Sequence, residues 1–500
     1  MKPVRTVALM MGATVVAKLL GMVRQIVIAR NFGTGDVANA ITAASNFPLT
    51  FFDLLLGAAV LGCFIPVYNS FKGDKQAGEF ACIFFNIILL VTGLLTVIGI
   101  IFADPIIKFL VSGLEENTIE LAAAMLRIMF PMIMFTGTAY TLVGILQSKG
   151  KYILPAFISA ISNAGVIIYL LCFDNIYGLA FAYLASWFIQ LITLLIPLLR
   201  NGFKYRFILD FKNEALRRTF KMIPPIMVGS WLSPMMLFSG MHFSSYTGNI
   251  TVFEYSYNLF LIISGILVHS IVNYIFPVLS RLNVNGDAEQ FASIIRTGLI
   301  TSLMIMIPVM FAVYVLGGEG ISVLYLGGEF TSNDAYLTTV SLRWMAYGMP
   351  AFAVIELSNR VFYSCNMPKI PMIASISGIV GNISLSAIFV YLFDLGNGAI
   401  GLAVAVAQTI TAVILIIFLH VKIKGIFTNK FIISMVKIAI SSAAAFLIML
   451  FAYHFYGNNP YESEKINNII VGVVIFIIGA AIYFGGLFIT RVKIKEENNV

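Results

Sequence analysis

The chain has 500 residues, of which 60% are hydrophobic and 11% are charged. Soluble domains carry about a quarter charged residues, so this composition excludes an ordinary water-soluble protein. The formal net charge of +8 comes from short loops between long apolar runs, so we do not expect nucleic acid as a partner.

Long apolar segments recur from end to end, each sufficient to cross a hydrocarbon core about 30 Å thick. We predict an all-α polytopic membrane protein with about 14 transmembrane helices. The predicted spans lie near residues 6–30, 37–70, 80–102, 118–147, 152–173, 176–199, 220–246, 250–280, 294–316, 334–364, 369–393, 398–421, 430–456 and 466–490. No small-residue cleavage site follows the first, so it is interpreted as a span rather than a signal peptide. The four cysteines have no paired spacing, so neither a disulfide nor a metal site is expected.

Basic residues divide unequally between the two sides of the predicted membrane. The termini and the loops on their side hold 22 Lys and Arg residues. The opposite loops hold 3, together with acids such as Glu319. Because cytoplasmic loops carry an excess of Lys and Arg, we expect both termini in the cytoplasm.

The two halves of the chain repeat one another weakly. Three matches share one offset of 216 residues: Leu126-Arg127 with Leu342-Arg343, Ser148 with Ser364, and Pro155 with Pro371. A unit of six spans enters the membrane twice from the same side, which predicts parallel repeats with a substrate site between them near the midplane. The predicted divisions are a six-helix lobe at 1–200, a basic cytoplasmic linker at 201–219, a six-helix lobe at 220–422, and two extra helices with a cytoplasmic tail at 423–500.

Ionisable side chains inside the predicted spans are the candidate functional groups, because they are costly to bury in lipid. Lys18 and Arg24 lie on the first span, roughly 9 Å and about 120° apart along a helix, and are placed to line a wide anion-binding wall. The alternative for Arg24 is a side chain that extends to the interface. Asp53 in the second span either pairs with one of these cations or titrates as a coupling site.

The second half contains further ionisable groups. Glu254 lies either in the cavity or at the outer interface. Glu356 and Arg360 have the i,i+4 spacing of a local ion pair, for which a structural role is favoured over a coupling role. Arg343 is also interpreted as structural, and His269, which has no ligand-spaced partner, as a packing residue.

Enzyme motifs are absent from the sequence, including the Walker lysine motif, His-Glu-x-x-His and Gly-x-Ser-x-Gly. The longest stretch outside the predicted spans, 201–219, is too short for a catalytic domain. We therefore expect a secondary transporter with no cofactor and no catalytic residues. A membrane glycosyltransferase is the alternative from a different class, but the loops lack the acidic cluster that its metal would require.

Two stretches resemble a known family. The run Ala17-Lys18-Leu19-Leu20-Gly21-Met22-Val23-Arg24 is similar to the Ser-Arg-x-Leu-Gly-x-x-Arg motif of the MurJ/MviN family, and Phe64-Ile65-Pro66 continues the likeness. The second stretch, Phe362-Tyr363-Ser364 with Lys369 and Pro371, resembles the family's Phe-Tyr-Ser-x-x-Asp-x-Lys-Thr-Pro segment.

The resemblance implies a multi-pass transporter of the bacterial inner membrane, within the multidrug/oligosaccharidyl-lipid/polysaccharide exporter superfamily. Such proteins move lipid II, the polyprenyl-pyrophosphate-linked peptidoglycan precursor, by alternating access. The implied partners are this anionic lipid and membrane lipids, with a coupling cation or the membrane potential as driving force. The alternatives are another lipid-linked oligosaccharide as cargo, or a drug/cation antiporter of the same superfamily.

The sequence departs from the family pattern at positions implied to face the substrate or a coupling ion. Asn39 stands where the family pattern has an acid, and Phe52-Asp53 stands where it has an Arg-Arg pair. Gly57-Ala58 replaces a Glu-Gly pair, and Tyr257-Asn258 replaces an Asp-Arg pair. Asn382 and Ser386 stand where some members hold sodium on an Asn-x-x-x-Asp pair. The candidate substrate contacts are therefore Lys18, Arg24, Asn39, Asp53 and Asn258, and the candidate coupling groups are Asp53, Glu254, Glu356 and Asn382.

Overall fold

The computed structural model describes residues 3–52, 57, 60–173, 175–200, 202–285, 287–365, 367–456 and 459–491. The chain divides into two compact units, Met1–Pro234 and Met235–Val500. This division falls later than the predicted lobe boundary at 220, because α10 (Glu214–Ser230) packs on helices of the first unit. The predicted lobes and their repeat relationship stay predictions.

The first unit is built from ten described helices. They are α1 Pro3–Phe32, α2 Asp36–Asn46, α3 Ile65–Asn69, α4 Asp74–Ile101, α5 Ala103–Leu110, α6 Glu116–Met129, α7 Met132–Ser148, α8 Ile153–Cys172, α9 Ile176–Arg200 and α10. The core of this unit centres on Phe64, whose ring lies 5.4 Å from that of Phe80 and 4.9 Å from that of Phe84. The α1 helix packs along α8, where Gly21 lies beside Asn163.

The second unit contains nine described helices, the first of which begins just before the division. They are α11 Leu232–Ser245, α12 Ile250–Asn285, α13 Ala288–Leu324, α14 Ser332–Ala346, α15 Met349–Ser364, α16 Lys369–Ala387, α17 Asn397–Lys422, α18 Asn429–Tyr456 and α19 Lys465–Thr490. The α17 helix packs against α14, α15 and α16. The last two helices, α18 and α19, pack on each other and on α13.

The helical membrane class predicted from the sequence is confirmed. Among the residues described, ten helices are long and apolar enough to cross a membrane. The pair α6 and α7, bent by 40° at its break, gives an eleventh span if counted as one. The count of fourteen spans stays a prediction.

Three predicted spans are interrupted close to a proline. The span near 118–147 breaks at Pro131, that near 220–246 breaks just before Pro234, and that near 334–364 breaks before Pro350. Proline lacks an N–H donor and its ring clashes with the preceding turn, so it ends one helix and is tolerated in the first turn of the next. Each of these segments is therefore divided into two helices, and its assignment as one membrane span stays a prediction.

The basic asymmetry gives a topology test. A phosphatase reporter that is active only outside the cytoplasm is expected to be inactive when fused at Val500, because the positively charged loops hold the termini inside. A cytoplasm-active reporter at the same position provides the matched control. Export of the Val500 fusion would contradict the predicted orientation of the whole chain.

Candidate functional site

Arg24 is the best-defined candidate on the first unit. Its guanidinium carbon lies 5.5 Å from the ring centroid of Tyr183 on α9, within the range of a cation–π contact. Tyr183 is 1% exposed, and Trp187 lies one turn along the same helix with its ring 6.0 Å away. Arg24 Nε is buried without a hydrogen-bond partner among the described residues. The aromatic contact thus positions a cation that still has a donor to offer.

Lys18 lies on a different face of α1 from the one that packs on α8. Ala17 and Ile28 are buried, and Asn163 Nδ2 donates to the Ala17 carbonyl oxygen at 3.5 Å. Lys18 is exposed within its unit. The separation of Lys18 from Arg24 around the helix follows from their spacing of six residues. These two cations suit contact with an extended anionic group rather than one compact site.

The other candidates of the first unit lie in the second predicted span. Asn39 is fully buried in α2, which packs against α6. An amide is less costly to bury there than a carboxylate, because it has no charge to desolvate. Asp53 lies outside the described residues, so its two proposed roles stay open.

Glu254 and Asn258 form a pair on α12. Glu254 is 6% exposed, and Asn258 Nδ2 donates to its Oε1 atom. Both residues lie one helical turn apart on the same face, so the amide partly replaces the solvation that burial removes from the carboxylate. The Tyr325 side chain is fully buried close enough to Glu254 to interact with it electrostatically.

Asn382 belongs to a neutral polar cluster. Ser239 Oγ on α11 donates to Asn382 Oδ1, while Asn382 Nδ2 and Ser386 Oγ are buried without hydrogen-bond partners in the described part of the chain. These groups offer neutral oxygen atoms and no carboxylate, whereas cation sites in proteins gain affinity from negatively charged ligands. No group of three or more His, Cys, Asp or Glu suited to a metal occurs among the residues described.

Glu356 has a different partner from the one its spacing indicates. Its Oε2 lies 3.6 Å from His269 Nδ1 on α12, whereas the Arg360 guanidinium lies 5.8 Å from the ring centroid of Phe276. The helix-to-helix contact holds the carboxylate away from its i+4 neighbour. His269 therefore lies beside Glu356 and also packs on the Phe352 ring, whose centroid is 6.2 Å away, so its interpretation as a packing residue stays a prediction.

Glu319 is the acid that the sequence misplaced. It was assigned to an outer loop, but it is 3% exposed near the end of α13. The Tyr453 hydroxyl on α18 donates to its carboxylate, while its Oε2 atom is buried without a hydrogen-bond partner in the described structure. Arg343, which acts on it electrostatically, donates from Nε to the Tyr314 carbonyl oxygen at 2.8 Å, in agreement with a structural role.

The structure thus places some of the predicted residues in contact with each other and gives others partners that were not predicted. Glu254 contacts Asn258, while Arg24, Asn382 and Glu356 each have a partner that the sequence did not indicate. Those partners are Tyr183, Ser239 and His269. Only helix packing places them, because none lies within four residues of the group that it contacts.

Comparisons with known proteins place the chain in one family. The family model of the lipid II flippase MurJ matches residues 28–465. A probable lipid II flippase MurJ of Buchnera aphidicola subsp. Schizaphis graminum is 25% identical over 404 residues, covering 78% of this chain and 79% of the relative. The lipid II flippase MurJ of Thermosipho africanus is 25% identical over 475 residues, covering 95% of both chains.

The fold also matches a solved structure. The inward closed conformation of a lipid II flippase MurJ superimposes with a TM-score of 0.81 at 22% identity. The match covers 96% of this chain and 100% of that one. At this level of identity the likeness establishes the fold alone.

Proposed function

Because the chain belongs to the lipid II flippase MurJ family, we propose that it translocates lipid II across the bacterial cytoplasmic membrane by alternating access. The observation that carries the proposal is the family match over residues 28–465. The fold supports it, since the described helices include at least ten that are long and apolar enough to cross a membrane. Both termini are proposed to be cytoplasmic.

Arg24 and Lys18 are proposed to contact the pyrophosphate of the cargo. A guanidinium forms bidentate hydrogen bonds with phosphate oxygens, and an ammonium acts as a point charge. The buried Nε of Arg24, without a partner among the described residues, supports this role because a lipid phosphate would satisfy it. The aromatic contact with Tyr183 fixes the arginine without neutralising its charge.

Glu254 is the proposed coupling group of the second unit. It is a buried carboxylate held by a neutral amide, so its charge is not compensated by Asn258. Glu254→Gln keeps the shape and a hydrogen-bonding side chain, and it is expected to reduce flipping about tenfold, a loss of roughly 1.4 kcal/mol. Glu356→Gln is the matched control, because His269 lies within ion-pair distance of that carboxylate. Equal activities of the two variants at equal protein levels would rule out a special role for Glu254.

Depletion of the protein tests the proposed cargo. Loss of a lipid II flippase should cause lipid II to accumulate in the inner leaflet, as measured by mass spectrometry of lipid extracts and by the accessibility of the head group to an external enzyme. Restoration of the chain should reverse both effects. Unchanged lipid II during growth arrest would contradict the proposal.

A second candidate is another polyprenyl-linked oligosaccharide as cargo. The observation that favours it is the neutral character of Asn39 and Asn258, where the family resemblance implies charged residues. The same depletion experiment separates the two candidates, because the precursor that accumulates identifies the cargo.

A further inference from the structure

The first unit contains a charged pocket away from the predicted substrate residues. Its volume is about 820 Å³, and it lies where α3 and α7 end, α4 begins and the chain leaves α9. Four exposed cations, Lys75, Lys149, Lys204 and Arg206, lie among its lining residues. We call this site the linker pocket. It faces the side that the charge asymmetry predicts to be cytoplasmic.

The wall of the linker pocket is held in place by α4. Asn86 Nδ2 donates to the carbonyl oxygens of Arg206 at 3.0 Å and Ile208 at 3.1 Å. The Tyr205 hydroxyl donates to Asn86 Oδ1 at 2.7 Å, and the Arg206 N–H donates to Cys82 Sγ at 3.4 Å. Partial burial raises the pKa of the Tyr205 hydroxyl, so it remains a donor at neutral pH. The chain that carries Lys204 and Arg206 is therefore positioned in advance of any ligand.

The charges in the linker pocket leave a positive surplus. Asp74 and Glu79 also line it, and Arg206 Nη1 lies 4.0 Å from Glu79 Oε1. Four cations against two carboxylates leave a net charge of about +2, which favours an anionic ligand. Lys149 is held near the pocket by the Phe203 ring, 6.0 Å from its ammonium group.

Donors without partners add to this surplus. The N-cap of α4, Gly73, supplies no side-chain cap, and the first turn of this helix lines the pocket, so the positive end of the helix dipole lies at the site. Ser148 Oγ is buried at the pocket without a hydrogen-bond partner among the described residues. Phosphate oxygens accept hydrogen bonds from all of these groups.

The second unit has a pocket at the equivalent helix ends. It has a volume of about 340 Å³ and is lined by residues from the start of α13, the end of α15 and the chain after α17. Cys365 stands 216 residues after Lys149, at the offset of the sequence repeat. Lys422 and Lys424 occupy the place of the charged linker residues.

The two pockets differ in how their donors are satisfied. In the second unit Asp287 caps α13 by accepting from the Gln290 N–H at 3.0 Å. Arg296, on the same helix, donates to the carbonyl oxygens of Gly425 at 2.6 Å and Ile426 at 3.2 Å. The smaller pocket therefore has a capped helix, whereas the linker pocket has an uncapped helix and a larger volume.

We propose that the linker pocket binds a phosphate-bearing anion. The ligand is either the head group of an anionic phospholipid in the adjacent leaflet or a soluble phosphate compound, because both present the same oxygens to these donors. This site goes beyond the proposed lipid II transport, since none of its lining residues belongs to the Lys18 and Arg24 region.

Binding measurements on the full-length protein in nonionic detergent test the proposal. Titration with inorganic pyrophosphate at low ionic strength probes the soluble source, and native mass spectrometry with phosphatidylglycerol against phosphatidylcholine probes the lipid source. Lys149→Ala/Lys204→Ala should weaken the binding of the responding probe about tenfold or more, because two charge-assisted contacts are lost. Lys149→Arg/Lys204→Arg should retain it, which shows that the charge and not the fold is affected.

Lys422→Ala/Lys424→Ala is the matched control, with the same loss of charge at the equivalent helix ends. It should change the affinity by less than about twofold. Arg24→Ala removes the pyrophosphate contact proposed for the substrate region, so binding that persists in this variant and is lost in Lys149→Ala/Lys204→Ala belongs to the linker pocket. The pocket and the transport proposal can therefore fail separately. Binding of pyrophosphate alone identifies a soluble ligand, and binding of phosphatidylglycerol alone identifies a lipid. Binding of both probes shows that the phosphate group they share is what the pocket recognises. The proposal would be overturned if neither probe bound, or if both alanine double variants lost the same amount of binding affinity.

Discussion

Arg24→Ala is expected to abolish complementation of a flippase-depleted strain while the protein still accumulates in the membrane. The guanidinium carries an Nε donor that is buried without a partner in the described structure, on a helix that an aromatic contact positions. Loss of a bidentate contact to phosphate costs about 3 kcal/mol, which corresponds to a roughly hundredfold slower transport step. Growth after depletion and flipping in proteoliposomes would measure the effect.

Three variants separate the charge of Arg24 from its placement. Arg24→Lys retains a cation but loses the planar fork, and should leave a partial defect. Tyr183→Phe preserves the ring and should be nearly neutral, whereas Tyr183→Leu removes the cation–π contact and should impair transport. Normal growth of Arg24→Ala at wild-type protein levels would show that the cargo does not use this cation.

Gly401→Ala is expected to destabilise the second unit by about 3 kcal/mol, since overpacking a tight helix contact costs that much. A Cβ atom at this position would lie 2.6 Å from the Ser341 carbonyl oxygen, so backbone would have to move. This glycine allows α17 to approach α14 closely. Thermal unfolding of the purified protein should show a lower midpoint, together with reduced accumulation in the membrane.

Gly320→Ala provides a matched control within the same unit. A Cβ atom on this glycine of α13 meets no heavy atom within 4 Å, and alanine favours a helix by about 0.8–1 kcal/mol over glycine. The variant should be neutral or slightly stabilising. Equal loss of protein in both variants would show that glycine flexibility, and not the α14–α17 contact, is the requirement.

Much of the fold follows from the apolar pattern, because a lipid environment allows few arrangements of the backbone. The lengths of the apolar segments follow from bilayer thickness. The repeat indicated by pairs such as Ser148 and Ser364 stays a prediction. The helix breaks near Pro131 and Pro350 were harder to predict than the apolar segments themselves, although both prolines are present in the sequence. Proline is common in membrane helices and bends some of them without dividing them.

The candidate site was predicted less completely, for a physical reason. A charged residue in an apolar segment, such as Arg24, is conspicuous because its burial is costly. Its partner Tyr183 is not, because an aromatic residue in a span ordinarily packs in the core. Glu319 is the opposite case, a buried charge that the sequence assigned to a loop because it lies near the end of an apolar segment. Its burial and its contact with Tyr453 are visible only in the structure. Such partners come from separate helices, and no local pattern specifies them.

The burial of Glu319 has a consequence for the order in which the protein is made. The chain leaves the ribosome from its N-terminus, so α13 is made before Tyr453 has been synthesised. During that interval the carboxylate has no hydroxyl from α18 to bind, and its contact with Tyr453 forms only after α18 has been made. The contacts of Glu319 are thus complete only once the C-terminal helices, which begin more than a hundred residues later in the chain, have been made.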